Sequence, residues 1–356
     1  MSGGVDSSVA AALLAEQGHD VIGLSMQLYD ASTGSFGSCC TLDDLNDARR
    51  VAAATGFPHY ILNFERQFQE TVIANFVREY AAGRTPLPCA HCNSDLKFTT
   101  LLDRARGLGA EHVATGHYAR VTQGPDGRWR LARSADLEKD QSYFLFSLTQ
   151  DQLARAMFPV GSLSKTEVRD HARRLQLTVA DKPDSQEICF VPDDDYAAFV
   201  ARQAPSVERG GAIVDEDGRQ LATHGGIHRF TVGQRKGLGL SAPGPLYVLK
   251  IDGGAGEVTV GPRAALQRTT LTASGVNWIA TEAPAGWRRV SAQIRHRHRP
   301  AAARVRALPP DAAGDSTSGP AARAELEFDS PQTAITPGQA VVFYDGDLVA
   351  GGGWID

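Results

Sequence analysis

The chain begins with a short loop of small and polar residues that leads directly into an apolar segment. The loop, residues 2–8, contains two glycines, and the apolar residues 9–15 predict a helix that ends near Gly18. At the start of a helix, unpaired backbone N–H groups and the positive end of the helix dipole favour an anion. Gly3 and Gly4 let the backbone approach phosphate oxygens closely. The loop therefore predicts a phosphate site, with an ordinary helix cap as the simpler alternative.

The pattern that follows favours the phosphate site. Residues 20–26 form a short apolar run typical of a buried parallel strand. The predicted helices after it cover residues 42–55, 68–80 and 97–108, and the predicted strands cover residues 59–64 and 112–117. Residues 158–177 predict a linking turn and a further helix. In the last helix Ser164 and Glu167 have the spacing of a capping box. This alternation predicts an α/β domain in which helices cover a parallel sheet.

Length and composition limit the possible classes of protein. A chain of 356 residues with 42% hydrophobic and 22% charged residues predicts two or three globular domains. No apolar run reaches the ~18 residues of a membrane span, and no basic-then-apolar leader is visible. We therefore expect a cytoplasmic protein without a membrane partner. The net charge of −5 means that a nucleic-acid partner needs a local basic patch.

The composition and residue pattern of the chain change after about residue 200. Glycine, proline and short alternating segments predict antiparallel strands in small barrels or sandwiches. The predicted strands cover residues 210–214, 225–233, 246–251, 290–299, 322–328 and 340–355, with a further one near Leu271. Residues 301–322 predict a long surface loop. We place three domains at residues 1–196, 197–268 and 269–356: a parallel-sheet nucleotide-binding domain and two small mostly-β domains, the last a β-barrel.

The cysteines lie in the first half of the chain. The chain has five cysteines. An odd number of cysteines in a sequence without a visible secretory leader argues against a secreted disulfide framework. Cys89 and Cys92 form a CxxC motif, which is consistent with half a zinc site, a redox pair or two unconnected thiols. Cys92 is predicted to precede a helix, with Lys97 nearby, and both features would lower its pKa. Cys189 is either a structural thiol or, in a loop, a functional one.

Further polar segments adjoin predicted strands. Residues 139–146 join a charged patch to an apolar strand, and Gly116 ends a strand where a parallel sheet presents its ligands. Alternation over residues 293–299 predicts a strand with Arg295, Arg297 and Arg299 on one face. That face is either merely solvated or a contact for phosphates.

Together these segments resemble the bacterial tRNA-specific 2-thiouridylases, which are members of the PP-loop ATP pyrophosphatase superfamily. The matching segments are SGGVDSSVAA at 2–11, the CC-x-L-x-D-x-x-D-A-R-R stretch at 39–50, CNSDLKF at 92–98, ATGHYAR at 114–120, KDQSYFL at 139–145, DSQEICF at 184–190 and FTVGQRKGLG at 230–239. They follow the family order over about two-thirds of the chain.

The resemblance implies ATP-dependent 2-thiolation of the wobble uridine, U34, of tRNA. ATP adenylates the C2 oxygen and releases pyrophosphate, and a persulfide sulfur then displaces AMP. The implied ATP-binding residues are Ser2, Gly3, Gly4, Val5, Asp6, Ser7, Ser8, Met26 and Gly116, the last two on the adenine and ribose side. Mg²⁺ would offset the phosphate charge.

The same resemblance assigns the sulfur chemistry to two cysteines. Cys189 matches the persulfide carrier and Cys92 the nucleophile, whose attack leaves a Cys92–Cys189 disulfide for reductants to reopen. An upstream persulfide donor, a cysteine desulfurase or a relay protein, is implied as a partner. Some members are thought to hold a [4Fe–4S] cluster on three cysteines, which here would be Cys89, Cys92 and Cys189. The sequence leaves both routes open.

The implied tRNA contacts lie in three segments. They are Leu87, Pro88 and Cys89 beside the target base, Lys139, Asp140 and Gln141, and Arg295 and His296. Many members have Asn at the position of Leu87, so this contact departs from the family pattern. The competing functions are another PP-loop ATPase, such as a 4-thiouridine synthetase, and a tRNA-binding protein with an impaired site.

Family members carry a short apolar strand before the loop, whereas here the loop starts at residue 2. We therefore expect the natural protein to start upstream, with Met1 as an internal methionine. Without that strand, neighbouring strands would lose backbone partners and ATP binding would be weak.

Overall fold

The computed structural model describes residues 1–29, 42–183, 188–191, 195–309 and 322–356. The chain divides into two compact units. The first comprises Met1–Val72, Cys89–Asp195 and Asp347–Val349, and the second comprises Ile73–Pro88, Tyr196–Gly346 and Ala350–Asp356. The three-domain boundaries placed from the sequence stay a prediction.

Helices within the described residues are mostly short. They are α1 (Val5–Glu16), α2 (Leu42–Thr55), α3 (Glu65–Phe68), α4 (Ala74–Ala81), α5 (Pro88–His91), α6 (Leu102–Gly107), α7 (Gln150–Leu153), α8 (Lys165–Arg174) and α9 (Tyr196–Gln203). Segments Gln69–Ile73 and Cys92–Leu101 are π-helical, and 3-10 turns lie at Ser142–Phe144, Pro205–Val207, Ile227–Arg229 and Arg263–Leu266. In the described part of the chain, no helix is long and apolar enough to cross a membrane.

The strands occupy both units. They are β1 (Gly23–Gln27), β2 (His59–Asn63), β3 (Val113–Ala114), β4 (Ala119–Gln123), β5 (Trp129–Arg133), β6 (Ala156–Met157), β7 (Gly211–Val214), β8 (Gln220–His224), β9 (Tyr247–Asp252), β10 (Glu257–Gly261), β11 (Gln267–Trp278), β12 (Arg288–Gln293), β13 (Ala301–Leu308), β14 (Arg323–Thr333), β15 (Ala340–Asp345) and β16 (Leu348–Ile355).

The first unit has the predicted α/β character. Strand β1 pairs with β2, and β3 pairs with β6, and both pairs are parallel. Parallel neighbours need a crossover connection, and α2 lies in the connection between β1 and β2. Met1 lies beside β1, where its amino group donates to the Leu24 carbonyl and its carbonyl accepts from Ser25 Oγ at 2.6 Å.

Helix α1 is buried on most sides because its side chains are small. Val9 and Ala12 of α1 pack with Val168 and Ala172 of α8 in one apolar cluster. Gly4 is the N-cap of α1, and no side chain of the described residues caps this helix. The alternative that the loop is an ordinary side-chain cap is therefore wrong.

Helix α8, by contrast, begins with the predicted capping box. Ser164 Oγ accepts from the Glu167 amide at 3.2 Å, and the Ser164 amide donates to Glu167 Oε2 at 2.7 Å. This box determines where α8 starts and so places Lys165 at its first position.

The second unit is mostly β, as predicted. Strands β8, β7, β10 and β9 form one sheet in that order, around a cluster that includes Ile213, Val248 and Val258. Strands β11, β14, β13, β12, β15 and β16 follow one another, and β11 pairs with β16 to close a six-stranded barrel. Helices α4 and α9 belong to this unit, where Tyr80 stacks on Tyr196 at 4.7 Å between ring centroids.

The predicted strand over residues 293–299 is wrong. Strand β12 ends at Gln293, whose side-chain amide donates to the carbonyls of Arg295 at 3.1 Å and His296 at 2.7 Å. These two bonds turn the chain back on itself. Arg295, Arg297 and Arg299 therefore do not share a strand face.

The predicted loop over residues 301–322 is also wrong in its first part, because Ala301–Leu308 is strand β13. Ala303 and Val305 are fully buried in the barrel. Alanine is too small and too weak a strand former to make this alternation visible in the sequence. Residues 310–321 lie outside the described residues.

Two other predicted strands are 3-10 turns. At Ser142–Phe144 the cause is Asp140, whose carboxylate accepts from the Ser142 amide at 3.2 Å and from Ser142 Oγ at 2.9 Å. At Ile227–Arg229 the flanking apolar residues Ile227 and Phe230 reach the core from a turn rather than from a strand.

Candidate active site

The loop before α1 is held by close backbone approaches at two glycines. Gly3 has φ +73°, and a Cβ there would come within 2.3 Å of the Asp44 carbonyl oxygen. A Cβ on Gly116 would come within 2.5 Å of the Ser7 amide nitrogen. The loop, the start of α2 and the turn after β3 therefore meet where only glycine fits.

The serines of the loop have different surroundings. Ser8 is fully buried, and its hydroxyl donates to the Gly4 carbonyl at 2.9 Å. Ser7 Oγ lies 3.2 Å from Gly4 O and 3.2 Å from Ser2 Oγ. Ser8 thus braces the first turn of α1, while Ser2 and Ser7 keep more exposed positions in the loop.

Asp6 is the acidic residue of the loop. Its carboxylate has two neighbours from distant parts of the chain, a lysine and a tyrosine hydroxyl. Lys165 Nζ donates to both carboxylate oxygens of Asp6, at 2.8 and 2.9 Å. Tyr118 OH donates to Asp6 Oδ1 at 2.8 Å, and Lys165 Nζ lies 5.8 Å from the centre of the Tyr118 ring. The charge of Asp6 is therefore balanced inside the site.

A second lysine holds the other side of the loop. Lys182 Nζ donates to the Gly3 carbonyl at 3.1 Å, to Asp44 Oδ1 at 2.6 Å and to Asp47 Oδ2 at 2.7 Å. Burial acts to lower the pKa of Lys182, but the hydrogen bonds and charges of the two aspartates outweigh it and raise that pKa. Lys182 therefore links the loop to α2 as a stable cation.

Two of the residues with an implied tRNA role make internal contacts. The Gln141 side-chain oxygen accepts from the Tyr118 amide at 3.0 Å, and the Gln141 amide donates to the Tyr118 carbonyl at 2.9 Å. Asp140 Oδ1 accepts from the Ser134 amide at 3.0 Å. Gln141 thus supports the residue that holds Asp6, and Asp140 shapes its own turn. Lys139 beside them is half-buried.

Met26 lies in strand β1, and His117 lies in the turn after β3. Met26 is a half-buried residue of β1, opposite Leu62 of β2. His117 follows the glycine that contacts the loop, and its Nδ1 lies 2.8 Å from Thr115 Oγ1. Burial, reinforced by the charge of Lys97, holds the pKa of His117 well below its ordinary value, so its imidazole is neutral. His117 was not singled out from the sequence.

Cys92 lies inside a helical segment, which corrects the prediction that it precedes a helix. Helix α5 leads without a break into the π-helix Cys92–Leu101. Side-chain bonds follow the π spacing, since Thr99 Oγ1 donates to Ser94 O at 2.7 Å and Thr100 Oγ1 donates to Asp95 O at 3.0 Å. Short π segments occur often at functional sites.

The predicted lowering of the Cys92 pKa is wrong as well. Burial raises the pKa of the thiol, while the charge of Lys97 lowers it and that of Asp95 raises it further. Lys97 Nζ is held by Asn93 Oδ1 at 2.9 Å. Lys97 therefore offsets only part of the cost of burying a thiolate.

Cys189 is half-buried in a short described stretch. Its carbonyl accepts from Tyr29 OH at 3.1 Å, and the ring of the next residue, Phe190, meets Phe68 edge-on at 5.5 Å. Helix α3, which carries Phe68, also packs against the π-helix of Cys92. The residue after Cys189 and the π-helix that begins at Cys92 therefore both contact α3. Cys39, Cys40 and residues 184–187 lie outside the described residues.

The described residues contain no group of three His, Cys, Asp or Glu side chains that could hold a metal ion. Cys89 is exposed, whereas Cys92 and Cys189 are half-buried. The three cysteines therefore do not fit a cluster site in this arrangement, and we derive no step through iron.

The remaining predicted tRNA residues lie partly in the second unit. The side chains of Leu87 and Pro88 are buried, and Gln339 Nε2 donates to the carbonyl of Pro86 at 3.1 Å. Arg295 and His296 are exposed in the turn after β12, and Arg295 Nη1 donates to the Thr333 carbonyl at 3.1 Å. A cavity of about 680 Å³ opens beside this turn; its lining includes Arg263, Arg295, His298 and Gln332.

Sequence reasoning missed Lys165, Lys182 and Tyr118. Their partners lie 112 to 179 positions away in the chain, so no local pattern indicates them. The capping box at Ser164 was the nearest available signal, because it places the next residue at a helix start.

Family models match almost the whole chain. Residues 1–193 match the one described as a tRNA methyl transferase HUP domain, residues 197–262 the tRNA methyl transferase PRC-barrel domain, and residues 268–355 the aminomethyltransferase beta-barrel domain.

Curated relatives match over the full length of this chain. A protein of Geotalea uraniireducens strain Rf4 named tRNA-specific 2-thiouridylase MnmA is 53% identical, and the match covers 100% of this chain and 93% of the relative. Proteins of the same name from Geobacter metallireducens and Acidobacterium capsulatum are 51% and 50% identical, over 100% of this chain and 95% and 97% of theirs.

Proposed function

The chain belongs to the family of tRNA-specific 2-thiouridylases, and we propose that it catalyses ATP-dependent 2-thiolation of the wobble uridine, U34, of tRNA. The observation that carries the proposal is the full-length identity of about half to relatives of that name. The loop before α1, whose first amides no described side chain caps, supports it. The backbone of loop residues 2–8 would bind the pyrophosphate part of ATP, assisted by the Ser7 and Ser8 hydroxyls, with Mg²⁺ entering as part of that substrate. The predicted cytoplasmic location accords with a tRNA substrate.

The loop geometry supports a role in ATP binding. Helix α1 starts at Val5 without a side-chain cap from any described residue, and Gly3 and Gly116 bring backbone amides close together. Such an arrangement presents N–H groups and a helix dipole to phosphate oxygens. Met26 and Gly116 remain our proposal for the adenine and ribose side.

The chemistry we infer has two stages. The uracil C2 oxygen attacks the α-phosphorus of ATP, and pyrophosphate leaves. The terminal sulfur of a Cys189 persulfide attacks C2, and AMP departs with the former C2 oxygen. The Cys92 thiolate then attacks Cys189 Sγ, which leaves sulfur on C2 and forms a Cys92–Cys189 disulfide. An external dithiol reopens the disulfide, and a persulfide donor protein reloads Cys189.

The environment of Cys92 supports its role as the attacking thiol. Lys97, held by Asn93 at 2.9 Å, favours the thiolate against the effect of burial. Burial raises the pKa of Cys92, so the attacking thiolate is a minority form whose population Lys97 increases. The Cys189 carbonyl accepts from Tyr29 OH, and the rings of Tyr29 and of Phe190, the residue after Cys189, both meet Phe68 of α3 edge-on.

We assign tRNA contacts to the predicted residues that remain accessible. Arg295 and His296 are exposed in a turn, and Arg295 lines a cavity together with Arg263 and His298. Arginines contact phosphates without reading sequence, so this region would hold the tRNA backbone. Leu87, Pro88, Cys89, Lys139, Asp140 and Gln141 stay proposals, and for Leu87 and Pro88 the contact would be through the backbone.

Mass spectrometry of tRNA nucleosides tests the function. The full chain is incubated with a U34-containing tRNA, ATP, and a cysteine desulfurase with cysteine. We expect 2-thiouridine at position 34 with the wild type and none with Cys189→Ser or Cys92→Ser. Wild-type amounts of product from Cys189→Ser would overturn the mechanism.

Cys89→Ser separates the two sulfur routes. The variant keeps both thiols of the persulfide route, so thiolation continues at a measurable rate. A route through three cysteine ligands instead requires a loss as complete as that of Cys92→Ser. Sulfur at C4 would indicate a 4-thiouridine synthetase, and tRNA binding without pyrophosphate release would indicate a binding protein.

A further inference from the structure

Asp6 places a negative charge inside a loop that must accept a polyphosphate. It lies in the first turn of α1, where the helix dipole stabilises an anion. A carboxylate there competes with phosphate for the same positive end of the helix. An unbalanced Asp6 would therefore repel the ligand that the loop is built to bind.

The structure balances this charge from the start of α8. Lys165 Nζ contacts both carboxylate oxygens of Asp6, and Tyr118 OH occupies Oδ1 as well. The Lys165 side chain is only 13% exposed and that of Asp6 is 31% exposed, so water and salt screen the pair less than a surface pair. The capping box at Ser164 and a bond from the Lys165 amide to Asp136 Oδ2 at 3.0 Å fix the backbone of the lysine.

The Lys165–Asp6 ion pair is not the only contact that joins helix α1 to helix α8. At the opposite ends of the same helices, Arg174 makes two bonds to Glu16, at 2.8 and 2.7 Å. Between these ends the helices share an apolar cluster that includes Val9, Val168 and Ala172. The Lys165–Asp6 pair therefore differs from the Arg174–Glu16 pair in its position at the loop.

We propose that Lys165 is a positioning residue for ATP: by neutralising and holding Asp6, it lets the loop accept the phosphates. The inference rests on the proposed function only in taking ATP as the ligand. Lys165 acts through Asp6, so its effect falls on ATP binding rather than on the sulfur-transfer step. Replacing both members of the pair should then be less harmful than replacing the lysine alone.

Calorimetric binding of ATP with Mg²⁺ to the full chain tests the proposal. We expect Lys165→Met to weaken binding by at least about tenfold, because it leaves Asp6 charged and unpaired beside the phosphates. Lys165→Arg keeps the charge and should bind more tightly than Lys165→Met. The double variant Asp6→Asn with Lys165→Met should recover most of the lost affinity, which a purely structural lysine would not allow. In turnover assays Lys165→Met should raise KM for ATP far more than it lowers kcat.

Arg174→Met is the matched control, since it breaks the ion pair at the other end of the same two helices. We expect its ATP affinity to match that of the wild type. Equal weakening by Arg174→Met, wild-type binding by Lys165→Met, or a double variant no better than Lys165→Met would each overturn the inference. A wild-type chain that does not bind ATP would instead contradict the proposed function.

Discussion

Two glycines, one in the loop before α1 and one in the turn packed against it, are required for different physical reasons. Gly3 combines a left-handed backbone, φ +73°, with an approach to the Asp44 backbone that leaves no space for a Cβ. Gly116 has an ordinary backbone but lies against Ser7 and Asp6. At the scale of single residues, the loop therefore depends on missing side chains as much as on polar ones.

Gly3→Ala should destabilise the protein and weaken ATP binding. Gly18 is the matched control, because it has φ +85° but open space around its Cβ position. Gly18→Ala should lower the free energy of unfolding by about 1–2 kcal/mol through backbone strain alone. Gly3→Ala should cost more, since its Cβ must also displace the Asp44 backbone. Urea unfolding and ATP calorimetry of both variants measure this; equal losses, or unaffected ATP binding in Gly3→Ala, would contradict it.

Strand β13 shows how an element can be hidden by small residues. Ala303 and Val305 point into the barrel and are fully buried, while Arg304 and Arg306 lie on the other face, 4.6 and 4.8 Å from the Trp287 ring centre. Arg306 also pairs with Glu325 at 2.6 Å. The alternation is regular, but alanines carry too little hydrophobic signal to reveal it.

Truncation on the two faces of β13 should have unequal effects. Val305→Ala should lower the free energy of unfolding of the second unit by about 2 kcal/mol, because it empties space in a closed barrel. Arg306→Ala, one residue along, should cost at most about 1 kcal/mol, since exposed ion pairs and cation–π contacts contribute little. Urea unfolding of both variants checks this, and similar costs would argue against the barrel register.

Buried or half-buried histidines with a lowered pKa occur in both units. Burial lowers the pKa of His59 and His117 in the first unit and of His224, His228 and His298 in the second. Below the ordinary histidine pKa, the unfolded chain therefore binds protons that the native protein does not. At the scale of the whole molecule, protonation favours unfolding.

We expect the free energy of unfolding to be constant from pH 8 to about 7 and to fall below about pH 6.5, where unfolded histidines become charged. Urea unfolding at pH 7.5 and 5.5 measures the change. His117→Gln should reduce the loss on acidification, whereas His112→Gln, at an exposed position, should leave it as in the wild type. Stability that rises towards pH 5.5 would contradict the sign.

Much of the fold was predictable because its signals are local. Helix α2 occupies the predicted residues 42–55, and the Ser164 capping box starts α8 as predicted. The parallel strand pairs agree with the predicted alternation of helices and strands. The closed barrel agrees with the change in composition near residue 200, which predicted antiparallel strands. Errors arose where side chains bend the backbone, as at Gln293 and Asp140, which only the folded chain reveals.

The sequence by itself determined the family and predicted the anion loop and the reactive cysteines, because these depend on short runs of consecutive residues. Only the tertiary structure decided the electrostatics of the site. It pairs Lys165 with Asp6 and Lys182 with Asp44, and it raises the pKa of Cys92 rather than lowering it. The reason is physical: charge balance and desolvation depend on which groups lie within a few ångströms, and these groups come from distant parts of the chain.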